Sequence, residues 1–194
     1  MIPYMYTFTG KRVNPLDVQG EDIDIRDISH HLSLINRFNG ASNKPISVAQ
    51  HSIFVSRLCR KFGVKHELQA LFHDASETYL GDITKWLKQS DAFKEYRRIE
   101  KVIQDRVFIA FGCDINTYTE VEKADRLMVR FEMHKECVKP EILEPGTNKV
   151  HPSYPPITKT EINRIGKWQP WDWVESEELF HITYNSIMER MNDH

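Results

Sequence analysis

No run of this 194-residue chain approaches the roughly 20 consecutive apolar residues that a membrane-spanning helix needs. The opening MIPYMYTFTGKR also lacks the apolar centre of a secretory signal, so the reading is a cytoplasmic protein, in a host cytoplasm if phage-encoded. Cysteine is scarce. Cys59, Cys113 and Cys137 are far apart, each within helix-like sequence, which excludes a disulfide framework and CxxC zinc spacing. Charge of one sign is missing too: 26 Lys+Arg stand against 28 Asp+Glu, so no polybasic coat for nucleic acid is present. No internal repeat or low-complexity segment occurs. What is there is 40% hydrophobic residues, enough for one continuous core and too few residues for two large domains.

The patterning is helical. Around Gly10, YTFTGKRVN alternates as a small hairpin, the centre of an N-terminal flap over 1–23. Ile25, Ile28, Leu32 and Ile35 then recur at helical spacing behind the capping residue Asp24, and the pattern stops at Asn39-Gly40. A second helix from Ser47 carries Val48, Ser52, Val55, Cys59 and Phe62 on one face and ends at Gly63, with His51 on that face. A third is predicted over 65–79, a fourth over 92–111 and a fifth over 116–137. Five prolines and one glycine between Pro140 and Pro156 mark a loop-rich connection, assigned to 138–170 and suited to covering an active site. A closing helix within 171–194 carries Phe180, Tyr184, Ile187 and Met191. The expectation is an all-α bundle in one domain over 1–194, with a small N-terminal β-hairpin and a loop-rich C-terminal extension.

Chemistry concentrates in three of these helices. His73 and Asp74 are adjacent, and Glu77 follows one turn later, so helical geometry brings the three side chains together. His51 lies on an otherwise apolar face, where an imidazole needs a metal or a hydrogen-bond partner. Asp125 flanks the apolar face of Val121, Ala124 and Met128, where a carboxylate needs a cation or strong donors. Singly, each has an ordinary structural explanation. Together, two imidazoles and two carboxylates form a nitrogen and oxygen ligand set suited to one divalent transition ion such as manganese, iron, cobalt or zinc.

His51, then His73-Asp74, then Asp125 resembles the metal signature of the HD-domain phosphohydrolases. The runs INRF, SVAQHS and HDASETYLGD are similar to those of bacterial 5'-deoxynucleotidases and of phage-type HD nucleotide phosphohydrolases that include dATP triphosphohydrolases. The similarity covers roughly Thr7 to Phe131. It implies an all-helical fold, one metal held by His51, His73, Asp74 and Asp125, and hydrolysis of phosphate esters or anhydrides of free deoxynucleotides. A triphosphate substrate is favoured, with a 5'-monophosphate as the alternative; a diesterase or a non-catalytic nucleotide-binding scaffold are further alternatives. Additional magnesium or manganese would accompany the substrate phosphates. Membrane and nucleic acid are not expected as partners, and self-association into a homo-oligomer is.

The resemblance also assigns roles. Glu77 would orient the attacking water or take its proton, or else accept a hydrogen bond from a ligand histidine. Arg37, read at the end of the first helix, matches the family's phosphate-binding arginine, and a surface arginine is its rival. Lys88 matches a family lysine, while Lys85 reads as solvated. Phe38 would stack on the base or pack the core. Asp82 matches a family aspartate near the sugar, or caps the next helix. Trp86 stands where the family run has proline, which bears on ribose discrimination. Lys123 and Arg126 are further candidates for phosphate charge. The other histidines share no spacing with carboxylates, although His30-His31 could weakly hold a second metal. Trp168, Trp171 and Trp173 read as packing for the last helix or an oligomer contact.

Overall fold

The computed structural model describes residues 3–137, 143–144 and 147–193. The fold is mostly α with one two-stranded antiparallel sheet, β1 (Met5–Tyr6) paired with β2 (Arg12–Val13). The helices are α1 (Ile25–Leu34), α2 (Val48–Cys59), α3 (Val64–Leu71), α4 (Glu77–Leu80), α5 (Lys85–Lys88), α6 (Lys94–Ala110), α7 (Thr119–Glu136), α8 (Lys159–Ile165) and α9 (Trp173–Asn192). Among the described residues no helix is long and apolar enough to cross a membrane.

Side-chain caps explain several helix starts. Asp24, Ser47 and Asp172 accept hydrogen bonds from the Arg26, Gln50 and Glu175 amides, and so fix the first turns of α1, α2 and α9. α2 is the central element: it packs on α1, α3, α7 and α9, and every residue in it except Arg57 is buried. Its two sides enter different apolar clusters. Ala49 and Ile53 join Ile28, Leu32, Phe72, Phe108 and Phe180, whereas Phe54, Val55 and Leu58 join Val121, Met128 and Phe131. His51 lies between the clusters, fully buried.

Three expected elements are corrected. The first helix ends at Leu34, not at Asn39-Gly40. Beyond it the chain is extended: the Arg37 amide donates to the Ile46 carbonyl, the Ile46 amide to the Asn36 side chain, and the Val48 amide to the Ile35 carbonyl. A 3-10 turn over Arg37–Gly40 follows, with Phe38 and Asn39 at φ 58° and 53°, a left-handed pair no α-helix accommodates. Arg37 is therefore placed by this turn.

The third helix is likewise not continuous over 65–79. It breaks after Leu71, and the chain runs through tight turns, with Ala75 and Glu77 amides bonded to the Phe72 and Asp74 carbonyls, before α4 resumes. Gln104 of α6 stabilises the break. Its side chain donates to the Phe72 carbonyl at 2.7 Å and accepts from the Ser76 amide at 3.0 Å, satisfying groups that the interruption frees. The connection over 138–170 contains a helix, α8, with a capping box between Thr158 and Glu161. Residues 138–142 and 145–146 of that connection lie outside the described residues.

Candidate metal centre and adjoining cavity

α2 supplies His51, the turn after α3 supplies His73 and Asp74, and α7 supplies Asp125. The structure brings the four together. His51 Nε2 lies 3.2 Å from Asp125 Oδ1 and 3.9 Å from Asp74 Oδ2, while His73 Nε2 lies 3.3 Å from Asp74 Oδ2 and 3.9 Å from Asp125 Oδ1. Ligand atoms about 2.0–2.2 Å from one cation are separated by roughly 3 to 3.5 Å, so this spacing is close to that of a mononuclear centre. Both Nε2 atoms are buried without a hydrogen-bond partner. Their Nδ1 atoms are engaged: that of His51 lies 2.8 Å from Glu132 Oε1, and that of His73 lies 2.8 Å from the Ala70 carbonyl. Each imidazole thus directs an unclaimed nitrogen at the two carboxylates. His51, His73 and Asp74 form a group able to hold a metal ion.

The electrostatics fit a site built for positive charge. Burial and the Arg37 guanidinium push the His51 imidazole down, but Glu132 and Asp125 outweigh them and raise it to about 9. Burial acts against ionisation of Asp74 and Asp125, yet the imidazoles beside them hold both below the usual carboxylate range, Asp125 well below it. Glu77 is opposite in character: burial, then the charges of Asp74 and Asp82, push its carboxyl well above the ordinary value.

Asp74 and Asp125 line a cavity of about 730 Å³ that also receives Arg37, Phe38, Glu77, Asp82, Lys85, Trp86, Lys88, Val129, Met133 and Tyr154. Arg37 is buried, not a surface residue: Nε donates to Glu132 Oε2 at 3.1 Å, and Nη1 lies 3.5 Å from Asp74 Oδ2. Removing it would therefore disturb the fold as well as any ligand, contrary to a purely phosphate-binding role. Lys88 Nζ lies 3.3 Å from Glu77 Oε1 and 2.5 Å from Glu100 Oε1. The second Glu77 oxygen is buried without a partner.

The remaining candidates sort clearly. Phe38 is half-buried with its ring 5.4 Å from the Arg37 guanidinium, at the cavity and outside both apolar clusters. Asp82 faces the cavity and does not cap α5, whose N-cap is Thr84; burial raises its carboxyl. Trp86 is 41% exposed at the rim, its ring 5.4 Å from that of His151. Lys85 is not simply solvated, since Nζ donates to the Tyr154 hydroxyl at 2.5 Å. Lys123 is exposed and Arg126 pairs with Glu122, and neither lines the cavity.

His30 and His31 do not form a second ligand pair. His30 bonds Glu177, and His31 bonds the Thr78 carbonyl through Nδ1 and the Phe8 amide through Nε2. Trp168 and Trp171 pack on Phe54. Sequence reasoning missed Glu132, Glu100, Gln104 and Tyr154. Only Glu132 left a usable trace: it lies two helical turns from Asp125, on the same face of α7.

No protein-family model matches the chain. Two curated bacterial proteins are similar to it. Over 129 residues it is 34% identical to a protein of Escherichia coli strain K12 described as uncharacterized protein YfdR, a match covering 66% of this chain and 70% of that protein. Over 110 residues it is 34% identical to an uncharacterized protein of Rhodobacter capsulatus, covering 54% of this chain and 56% of the other. The chain belongs to the family of YfdR.

Proposed function

We propose that this protein is a metal-dependent phosphohydrolase of the HD type acting on free deoxynucleotides, with the 5'-monophosphate as the favoured substrate. The observation that carries this reading is the pair of buried, unclaimed histidine nitrogens converging with two carboxylates at the floor of a cavity that also holds three cationic side chains. His51, His73, Asp74 and Asp125 would hold the ion, in the family of manganese, cobalt, iron or zinc. When bound, such an ion makes a water acidic near neutral pH and polarises a phosphoryl oxygen.

The chain's own residues complete the chemistry. Glu77 has an oxygen without a partner, and it orients the attacking water and takes its proton. Asp82, which also lines the cavity, contacts the sugar or returns a proton to its leaving oxygen. Arg37, Lys85 and Lys88 draw the phosphate in, while Phe38 and Trp86 flank the base.

Charge selects among the phosphates. Among the described residues, Arg37, Lys85 and Lys88 are the cations lining the cavity, and Arg37 and Lys88 each already face two carboxylates. That supply suits a dianionic monophosphate better than a triphosphate, which ranks second. Incubation with manganese or cobalt and each deoxynucleoside mono- and triphosphate tests the reading. Deoxynucleoside and inorganic phosphate should form from the monophosphates, cease on chelation and return with one ion per chain. Faster release of tripolyphosphate from triphosphates would reverse the ranking. No hydrolysis of any nucleotide by ion-loaded protein would overturn the function.

A further inference from the structure

Glu132 has no counterpart among the residues that the chemistry demanded, yet it touches both halves of the site. Its carboxylate is completely buried on α7. One oxygen lies 2.8 Å from Nδ1 of His51 and the other accepts from Nε of Arg37 at 3.1 Å. An acidic group shut off from solvent is costly unless both oxygens are satisfied. Here they are satisfied by two different functional side chains.

The chemistry of this double contact is restrictive. A carboxylate accepts at both oxygens, whereas a carboxamide accepts at one end and donates at the other. Arg37 is always a donor, and His51 must donate from Nδ1 if its Nε2 lone pair is to face the metal site. Of side chains the length of glutamate, only an ionised carboxylate serves both. The contact also has a direction, because an imidazole that donates to a carboxylate becomes a more basic ligand at its other nitrogen.

We propose that Glu132 is the positioning residue of the metal centre: it fixes the His51 ring with Nε2 toward Asp74 and Asp125, and by the same carboxylate holds Arg37 beside Asp74 in the cavity wall, so that ion affinity and phosphate handling depend on one buried group. This rests on the metal-centre reading above. It goes beyond that reading by assigning a residue outside the ligand set to control of that set.

The test is zinc affinity by chelator competition, with turnover not needed. Wild-type protein should bind one zinc; failure to bind any would overturn the metal-centre reading itself. Glu132→Gln should bind zinc about 10- to 100-fold more weakly. That variant strands the Arg37 guanidinium and could misfold, so the companion is Glu132→Gln with Arg37→Gln, in which the amide oxygen of residue 132 accepts from His51 and its NH2 donates to the side chain at 37. The double variant should recover much of the melting temperature while zinc affinity stays low. In the zinc-loaded proteins the His51 Nδ1 proton, shifted far downfield by a carboxylate partner, should move upfield in both variants. A folded double variant with wild-type zinc affinity, or an unmoved Nδ1 proton, would refute the role of Glu132 and leave the metal centre standing.

Discussion

α2 and α5 border the same site and are built in opposite ways. α2 is twelve residues long, capped by Ser47 and buried on all sides but one, and it presents His51 from between two apolar clusters. α5 is four residues long with none buried and no side-chain cap, and it presents Lys85, Trp86 and Lys88 to the cavity rim. The difference separates tasks. On the proposed function, the group that would meet an ion within tenths of an ångström sits on the most deeply buried element, while groups that would meet a larger, variable ligand sit on an exposed one that can adjust.

That contrast can be broken at its rigid end first. His51→Ala or Asp74→Ala should abolish bound ion and turnover together, measured by metal analysis and phosphate release. Glu77→Gln should keep the ion and lose about 10²- to 10⁴-fold in turnover. Equal loss of ion in all three would make Glu77 a ligand. Next in size is Arg37→Ala, which leaves Glu132 buried with one donor gone. It should cost about 3 to 5 kcal/mol of stability, a fall of roughly 10 °C in Tm, along with weakened phosphate handling. An unchanged Tm would show that the Arg37–Glu132 pair contributes nothing net.

Substitution at the adaptable end should be gentler on the fold. Trp86→Ala should change stability by less than about 0.5 kcal/mol and raise KM about five-fold through lost stacking of ~1 kcal/mol. A large loss of stability would place Trp86 in the framework instead. The smallest effect lies far from the site, at the start of α1. The Asp24 carboxyl is lowered to about 2, chiefly by its hydrogen bond from Arg26, which outweighs partial burial. Its contribution is present above the unfolded value near 4 and is lost as pH falls toward 2. Because its partner Arg26 is largely exposed, solvent screening limits this to under about 1 kcal/mol. Asp24→Asn keeps a capping oxygen and should flatten that part of the acid unfolding curve.

The long helices were legible because each alternates a buried and a wet face over at least ten residues, as α1, α6 and α9 show. The hairpin and the convergence of His51, His73, Asp74 and Asp125 were also readable, since acids and imidazoles stand out against apolar faces. The break after Leu71 was not. Nothing local in the run from Phe72 to Ser76 interrupts the helical pattern, and the groups that compensate the lost bonds belong to Gln104, about thirty residues away. The early end of α1 was hidden for the same reason, being set by pairing with Ile46 across a loop. The acidic partners of Arg37 and Lys88 were hidden in the same way, because Glu132 and Glu100 lie on other helices.

The candidate ligands come from α2, from the turn after α3 and from α7, elements widely spaced along the chain. An ion held there works as a removable cross-link, joining those elements across the seam between the two apolar clusters. Unfolding must release it, so the protein should melt higher as free ion rises, by about 2.7 kcal/mol at one hundred times the dissociation constant. The melting curve then serves as a gauge of ion affinity that needs no substrate, and loss of the ion in a metal-poor cell would mark the chain for proteolysis before it marked it as inactive.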